Sequence, residues 1–308
     1  MFIDLHCDTI EKAKDEGLTL DSKKLSFNTK DVKLPHIQCL ATFVHSKYNK
    51  KTEGFKRANE IIDNFYKTYN PEQIYIIKNK NDLKSKELNK KIGAILTIEN
   101  GTAISGNLSN IDKLYNKAIR MMGIVWNDDN DLACGALTKN DTGLTSIGKS
   151  FIKKIENKKI IIDVSHCSFK TFWDIAKITK SPIVASHSCV KKLCNHPRNL
   201  SDEQIKQIAK TNGVVGICFC KSFLTMNETA SVKDIVSHID YIANLVGIDY
   251  VSFGSDFDGL EKVNILEDIK GVKDLYKIIK TLKNKGYSSE DIDKICYKNF
   301  YRIINTVW

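Results

Sequence analysis

Eight short apolar runs, separated by helical patterns, recur along the 308-residue chain. They fall at residues 2–5, 38–44, 92–98, 121–126, 160–164, 183–185, 214–219 and 250–254. Most are near-continuous instead of alternating, which marks strands buried on both faces. Between them, the stretch 54–69 places Phe55, Ala58, Ile61, Ile62 and Phe65 on one helical stripe. Residues 168–177, 201–210, 232–246 and 275–285 repeat that pattern, and Ser201-Asp202-Glu203-Gln204 reads as a capping box. Strands alternating with helices predict a parallel sheet. Eight such units in a chain of this length predict an α/β fold, a (β/α)8 TIM-type barrel. Only four prolines occur, and no Ser/Gly-rich or acidic tract divides the chain, so residues 1–308 are read as a single domain.

A barrel of this kind carries its active site at the C-terminal ends of its strands. Here those ends are polar. The first run closes on Asp4-Leu5-His6-Cys7-Asp8. Strand alternation predicts Asp4, His6 and Asp8 on one face, converging at the barrel mouth. Glu99 ends the third run, His166 the fifth, His187 the sixth and Asp256 the eighth. Imidazole and carboxylate donors suit zinc, without excluding manganese or cobalt. A glutamate between two metals can bridge them, so that His6 and Asp8 complete one metal and His166 and His187 the other. Two metals about 3.5 Å apart can hold a hydroxide and polarise a carbonyl. Asp256 beside that hydroxide can accept its proton and pass it to a leaving amine. Arg198, just past the sixth run, is either a bidentate clamp for a substrate carboxylate or a structural tie for its own loop.

Taken singly these residues are ordinary. A lone histidine such as His6 is more often a satisfied core residue, and Asp256-Phe257-Asp258-Gly259 also fits a simple turn. His36, His45, His196 and His238 are not assigned to metal. The joint placement of five donors and one acid at the same end of the barrel carries the reading.

Other classes are disfavoured. No run reaches the roughly 18 apolar residues of a membrane span. The first strand starts at Phe2, leaving no room for a signal peptide, and the C-terminus is too short for a tail anchor; a cytoplasmic location is expected. The net charge is +10, but the lysines are scattered. Lys47, Lys50 and Lys51 form one small cluster in a loop-like stretch, and no arginine-rich run or aromatic–basic interleaving accompanies it. The charge reads as solvated surface, with no specific nucleic-acid partner. The nine cysteines include no Cys-x-x-Cys pair, and Cys218 and Cys220 are awkwardly placed for a disulfide. Buried free thiols are expected.

The chain resembles the membrane dipeptidase (renal dipeptidase, peptidase M19) family of the amidohydrolase superfamily, in its soluble bacterial branch. The resemblance runs end to end. It rests on Asp4-Leu5-His6-Cys7-Asp8, Ile98-Glu99, Asp163-Val164-Ser165-His166, Ser186-His187-Ser188, Arg198-Asn199, Gly254-Ser255-Asp256-Phe257-Asp258-Gly259 and Asn299-Phe300-Tyr301-Arg302-Ile303. It implies a (β/α)8 barrel with two zinc ions that hydrolyses dipeptides, including those with a C-terminal D-residue. It further implies His6 and Asp8 on the first zinc, Glu99 bridging, His166 and His187 on the second, Asp256 as proton shuttle and Arg198 on the substrate's free carboxylate. A homodimer is expected by the same analogy. Two positions depart from the family. Trp126 stands where animal members carry a substrate-binding histidine, leaving Trp126 and its neighbour Asn127 as candidate substrate-binding groups. Cys220 stands where a tyrosine often follows the seventh strand. These departures keep open a related metal-dependent amidase, deacylase or lactonase acting on small carboxylated substrates. A non-catalytic metal- or peptide-binding barrel would require a broken ligand or a missing acid, and none of the six key positions is broken.

Overall fold

A computed structural model describes residues 1–49 and 52–308. Lys50 and Lys51, of the small lysine cluster, lie outside the described residues. The strands are β1 (Phe2–Cys7), β2 (His36–Phe43), β3 (Ile74–Ile76), β4 (Ile92–Glu99), β5 (Ile119–Gly123), β6 (Ile161–Asp163), β7 (Ile183–Ser188), β8 (Val214–Ile217) and β9 (Val251–Phe253). The helices are α1 (Thr9–Asp15), α2 (Glu53–Thr68), α3 (Ser109–Asn116), α4 (Ser146–Asn157), α5 (Phe169–Ile178), α6 (Asp202–Lys210), α7 (Lys221–Leu224), α8 (Val232–Val246), α9 (Tyr276–Asn284), α10 (Ser289–Asp293) and α11 (Asn299–Val307).

All strand pairs are parallel. β1 pairs with β2, β2 with β4, and the order continues through β9, which returns to β1. Eight strands therefore close the predicted barrel. β3 is an addition, paired only with the first half of β4, from Ile74 opposite Ile92 to Ile76 opposite Ala94. Three residues are too few to show a period, so the sequence pattern does not announce it.

Two apolar layers hold the barrel. Inside, Ile3, Leu5, Ile37, Cys39, Ile95, Met121, Ile161, Val184 and Val214 pack against Phe300, Ile303, Ile304, Val307 and Trp308, so α11 plugs one end. The other strand face meets the helical stripes, for example Ala58, Ile61, Ile62 and Phe65 of α2. Ser201 caps α6 as expected. Its hydroxyl accepts from the Gln204 N–H at 3.4 Å, and the Gln204 side chain accepts from the Ser201 N–H at 3.0 Å.

Most strand ends differ from the sequence expectation by one to three residues, and two of these shifts bear on the site. β5 ends at Gly123, so Trp126 lies beyond the strand. There the Ile124 carbonyl accepts from Gly101 N–H and the Asn130 side chain, and the chain leaves the sheet. β7 runs on to Ser188 and includes His187.

The face of Asp4 is a correction. Ile3 and Leu5 belong to the interior layer, so Asp4 between them points the other way. A bulge follows: Asp4 pairs with Gln38 but Cys7 with Leu40, three steps on β1 against two on β2. That extra residue resets the alternation and turns His6 toward the site without Asp4. All nine cysteines are free thiols. Among the described residues no helix is long and apolar enough to cross a membrane.

Candidate metal centre

The barrel brings the predicted donors into one buried cluster. His6 comes from the bulged end of β1 and Asp8 from the residue before α1, while Glu99 ends β4 and His187 lies on β7. His166 follows β6 and Asp256 follows β9, both with left-handed backbones at φ 67° and 63°. Such a backbone costs a non-glycine residue roughly 1–2 kcal/mol. Flanking bonds hold each turn: Ala136 N–H to the His166 carbonyl at 2.8 Å, and Asp256 N–H to the His6 carbonyl at 3.1 Å.

Glu99 divides its two oxygens. Oε2 lies 3.2 Å from His6 Nε2, and Oε1 lies 2.8 Å from His166 Nε2 and 3.8 Å from His187 Nε2. Asp8 Oδ2 is 3.3 Å and Asp256 Oδ1 3.7 Å from His6 Nε2. Two groups of donor atoms are close enough to share one cation each: His6 with Glu99 and His187, and His6 with Asp8 and Asp256. The Nε2 atoms of His166 and His187 face each other at 2.7 Å.

The electrostatics fit cations. Burial, with help from Arg198 and His6, holds the imidazole of His166 well below its usual range; for His187 the same burial acts with His6, His166 and Arg198. Both rings are thus neutral donors. Burial works against the His6 cation, yet the Asp8 and Glu99 carboxylates outweigh it and push that imidazole well up. Asp8 is raised to about 6 by burial and the Glu99 charge, against the pull of His6. Burial also drives Asp256 well up, with Asp8 and Glu99 adding to it and His6 opposing. The Asp8 Oδ1 atom is buried without a hydrogen-bond partner. Crowded carboxylates, an orphaned oxygen and facing imidazole lone pairs are the features a divalent cation relieves. The donor set therefore fits the expected metal.

A cavity of about 440 Å³ opens over the cluster, lined by Glu99, His166, Asp256, Arg198, Trp126, Asn127, Phe43, Leu137, Glu11 and Cys220 among others. The sequence matches the membrane dipeptidase family, peptidase family M19, over residues 1–308. The chain belongs to that family. As a member it is a metal-dependent dipeptidase. A Klebsiella pneumoniae protein, described only as an uncharacterized protein in the pqqA 5′ region, is 35% identical over 237 residues, 74% of this chain and 86% of that one. Two crystal structures share the fold at lower identity. A Rhodobacter sphaeroides metallo peptidase liganded with a phosphinate mimic of the dipeptide L-Ala-D-Ala superposes with TM-score 0.91 at 22% identity, over 100% of this chain and 99% of that one. The probable dipeptidase PvdM from Pseudomonas aeruginosa gives TM-score 0.89 at 21% identity, over 100% and 95%.

In this member of the dipeptidase family, Arg198 reaches the cavity wall almost fully buried. Its Nη2 donates to the His187 carbonyl at 3.3 Å, its Nε has no partner, and its guanidinium lies 5.4 Å from the Phe223 ring centre. No carboxylate pairs with it among the described residues. Trp126 forms an aromatic wall with Phe43 at 5.2 Å, His45 at 5.3 Å and His166 at 6.0 Å between ring centres. Asn127 lines the cavity too, but its Oδ1 sits 2.8 Å from His166 Nδ1, so it orients a donor imidazole. Cys220 also lines the cavity, its sulfur 3.2 Å from the Ser222 hydroxyl. The four histidines left unassigned stay outside the cluster: His36 bonds Gln38, His45 accepts from Lys47 N–H, His196 accepts from Arg198 N–H, and His238 spans Val190 N–H and the Leu224 carbonyl.

Sequence reasoning missed Phe43, Leu137 and Glu11 in the cavity wall. Glu11 follows Asp8 by three residues, one helical turn, which is a usable signal. Phe43 and Leu137 carry none, because an apolar residue at a strand end or in a loop looks like core or chance exposure. Asp258 was read as part of a turn. Its buried carboxylate accepts from the Thr9 hydroxyl, Lys12, and the N–H groups of Ser26 and Phe27, binding the loop before β2 beneath the site.

Proposed function

We propose that this dipeptidase works with two zinc ions bridged by Glu99, one held by His6 and Asp8, the other by His166 and His187. Manganese or cobalt suits the same donors. Its substrates are dipeptides, including those with a D-residue at the C-terminal position. The observation that carries this reading is the division of Glu99, with one oxygen toward His6 and the other toward His166.

When bound, such a pair of cations supplies Lewis acidity at the scissile carbonyl and lowers the pKa of water. The chain's own groups do the rest. Arg198 receives the substrate carboxylate on the donors it leaves unpaired, in a site where burial strengthens the charge-assisted bond. Asp256 accepts the proton released as water attacks, then returns it to the leaving amine. Trp126 and Phe43 line the cavity as an aromatic wall that keeps bulk water from the reacting groups. The phosphinate ligand in the Rhodobacter sphaeroides structure, a mimic of the dipeptide L-Ala-D-Ala, supports the same substrate class here.

The test is a zinc titration of metal-stripped protein with turnover of L-Ala-L-Ala, L-Ala-D-Ala and N-acetyl-alanine followed in parallel. Dipeptide hydrolysis should appear as the second equivalent of zinc binds. Full activity at one equivalent would refute the bridged pair. Turnover of N-acetyl-alanine but of neither dipeptide would favour a deacylase.

A further inference from the structure

We infer that Asp163 and Ser186 are positioning residues that fix which nitrogen of His187 carries its proton, and so prepare that ring to bind metal. The inference rests on the metal-centre reading above. Ser186 N–H donates to Asp163 Oδ1 at 3.0 Å, and the Ser186 hydroxyl donates to Oδ2 at 2.5 Å. Oδ1 also accepts from Ser165 N–H at 2.9 Å. The same hydroxyl oxygen lies 2.8 Å from His187 Nδ1.

The proton count along this chain has one solution. As a carboxylate, Asp163 can only accept, so the single hydroxyl proton of Ser186 points at it. The serine oxygen then has only lone pairs left for the ring. His187 must therefore carry its proton on Nδ1, and Nε2 presents its lone pair to the cluster, 3.8 Å from Glu99 Oε1 and 2.7 Å from His166 Nε2. His166 reaches the same state by a different route, through Asn127 Oδ1 at 2.8 Å on its own Nδ1. Metal-bound histidines commonly depend on such an acceptor at the second nitrogen.

The clamp is a built feature, because it occurs twice. Asp4 on β1 accepts from Ser255 N–H at 2.8 Å and from the Ser255 hydroxyl at 2.5 Å, the same bidentate pattern across the β9–β1 seam. In each copy the serine directly precedes a residue of the cluster, His187 or Asp256. The copies differ in what else the serine oxygen meets. Ser255 Oγ meets the His6 carbonyl at 3.2 Å and Phe257 N–H at 3.2 Å, both backbone groups. Only Ser186 meets an imidazole nitrogen.

Changing Asp163 to Asn places an NH2 group where Oδ2 accepted. The serine hydroxyl must then turn, toward His187 Nδ1 or toward Ser165 Oγ at 3.3 Å. Changing Ser186 to Ala removes the acceptor while leaving both backbone donors to Asp163. Metal-stripped wild type, Ser186→Ala and Asp163→Asn are titrated with zinc by calorimetry, and the ring nitrogens of His187 are observed by 15N NMR. One zinc step should weaken about tenfold to hundredfold in both variants, and the wild-type ring should show Nδ1–H. Unchanged affinity at both steps in Ser186→Ala, or an Nε2–H ring in wild type, overturns the inference and leaves the clamp structural. If Asp163→Asn does not fold, Ser186→Ala decides alone. Failure of wild type to bind zinc would instead refute the metal-centre reading.

Discussion

Glu99 Oε1 lies 2.8 Å from His166 Nε2, on the side of the carboxylate turned away from His6. A single side chain thereby joins donors from β1 and from the turn after β6. Glu99→Gln keeps the shape but loses the shared charge. Loss of outer partners of a metal centre costs about 10–100-fold, so this change to a proposed ligand should lower dipeptide kcat/KM by more than about a hundredfold. Metal content and steady-state kinetics check it; near-normal turnover with two bound zinc ions would count against the bridging role.

Arg198 keeps an unpaired buried Nε beside the cavity. Removing one partner of a buried charged pair costs about 2–5 kcal/mol. Arg198→Ala should thus reduce kcat/KM for dipeptides, mostly through KM, and should affect a dipeptide amide much less. Equal losses on both substrates would assign Arg198 to its loop instead.

Gly259 faces the cluster from the loop after β9. A Cβ there would stand 2.2 Å from Asp8 Oδ2 and 2.8 Å from Asp256 Oδ1. Gly259→Ala must displace one or both carboxylates, so zinc affinity should fall by tenfold or more while the circular dichroism spectrum stays native. Wild-type affinity in this variant would show that the loop can shift freely.

His36 is buried and stacks on Phe2 at 5.7 Å, far from the metal centre in sequence. Burial depresses its imidazole to about 4, with the Gln38 bond opposing. The unfolded chain, with an ordinary pKa near 6.5, therefore binds more protons between pH 6.5 and 4. The His36 contribution to stability is complete above pH 6.5 and is lost as pH falls through that window, by about 3 kcal/mol. Urea unfolding at pH 7 and pH 5 should show a smaller drop for His36→Leu than for wild type; an identical drop would remove His36 as a source.

Phe300 on α11 is fully buried in the barrel plug. Phe300→Ala should cost about 3–5 kcal/mol in unfolding free energy. A change under about 1 kcal/mol would mean that the end of the barrel holds without it.

Much of the candidate site is legible in the sequence. His6, Glu99, His166, His187 and Asp256 stand out because metal-type residues end apolar runs, and parallel strands in a barrel all end on one side. Arg198 was legible as a choice between two roles; its guanidinium bonds the His187 carbonyl and leaves Nε without a partner, which is compatible with the proposed substrate role. Asp4 was misread because strict alternation ignores bulges, and one extra residue reverses every face beyond it. Asp163 and Ser186 stand beside the predicted donors, but nothing local in the sequence marks them as partners. Their partnership spans 23 positions and depends on which strands become neighbours.

By itself, the order of residues determined that strands and helices alternate and that metal-type residues stand at the ends of the strand runs. These follow from local periodicity, which each short segment carries within its own length. Tertiary structure alone decided which oxygen of Glu99 meets which imidazole, how the β1 bulge separates Asp4 from His6, and how a serine hydroxyl is held between a carboxylate and a ring. Such contacts depend on register and distance between remote segments, and close packing sets both to within a fraction of a bond length only once the whole chain has folded.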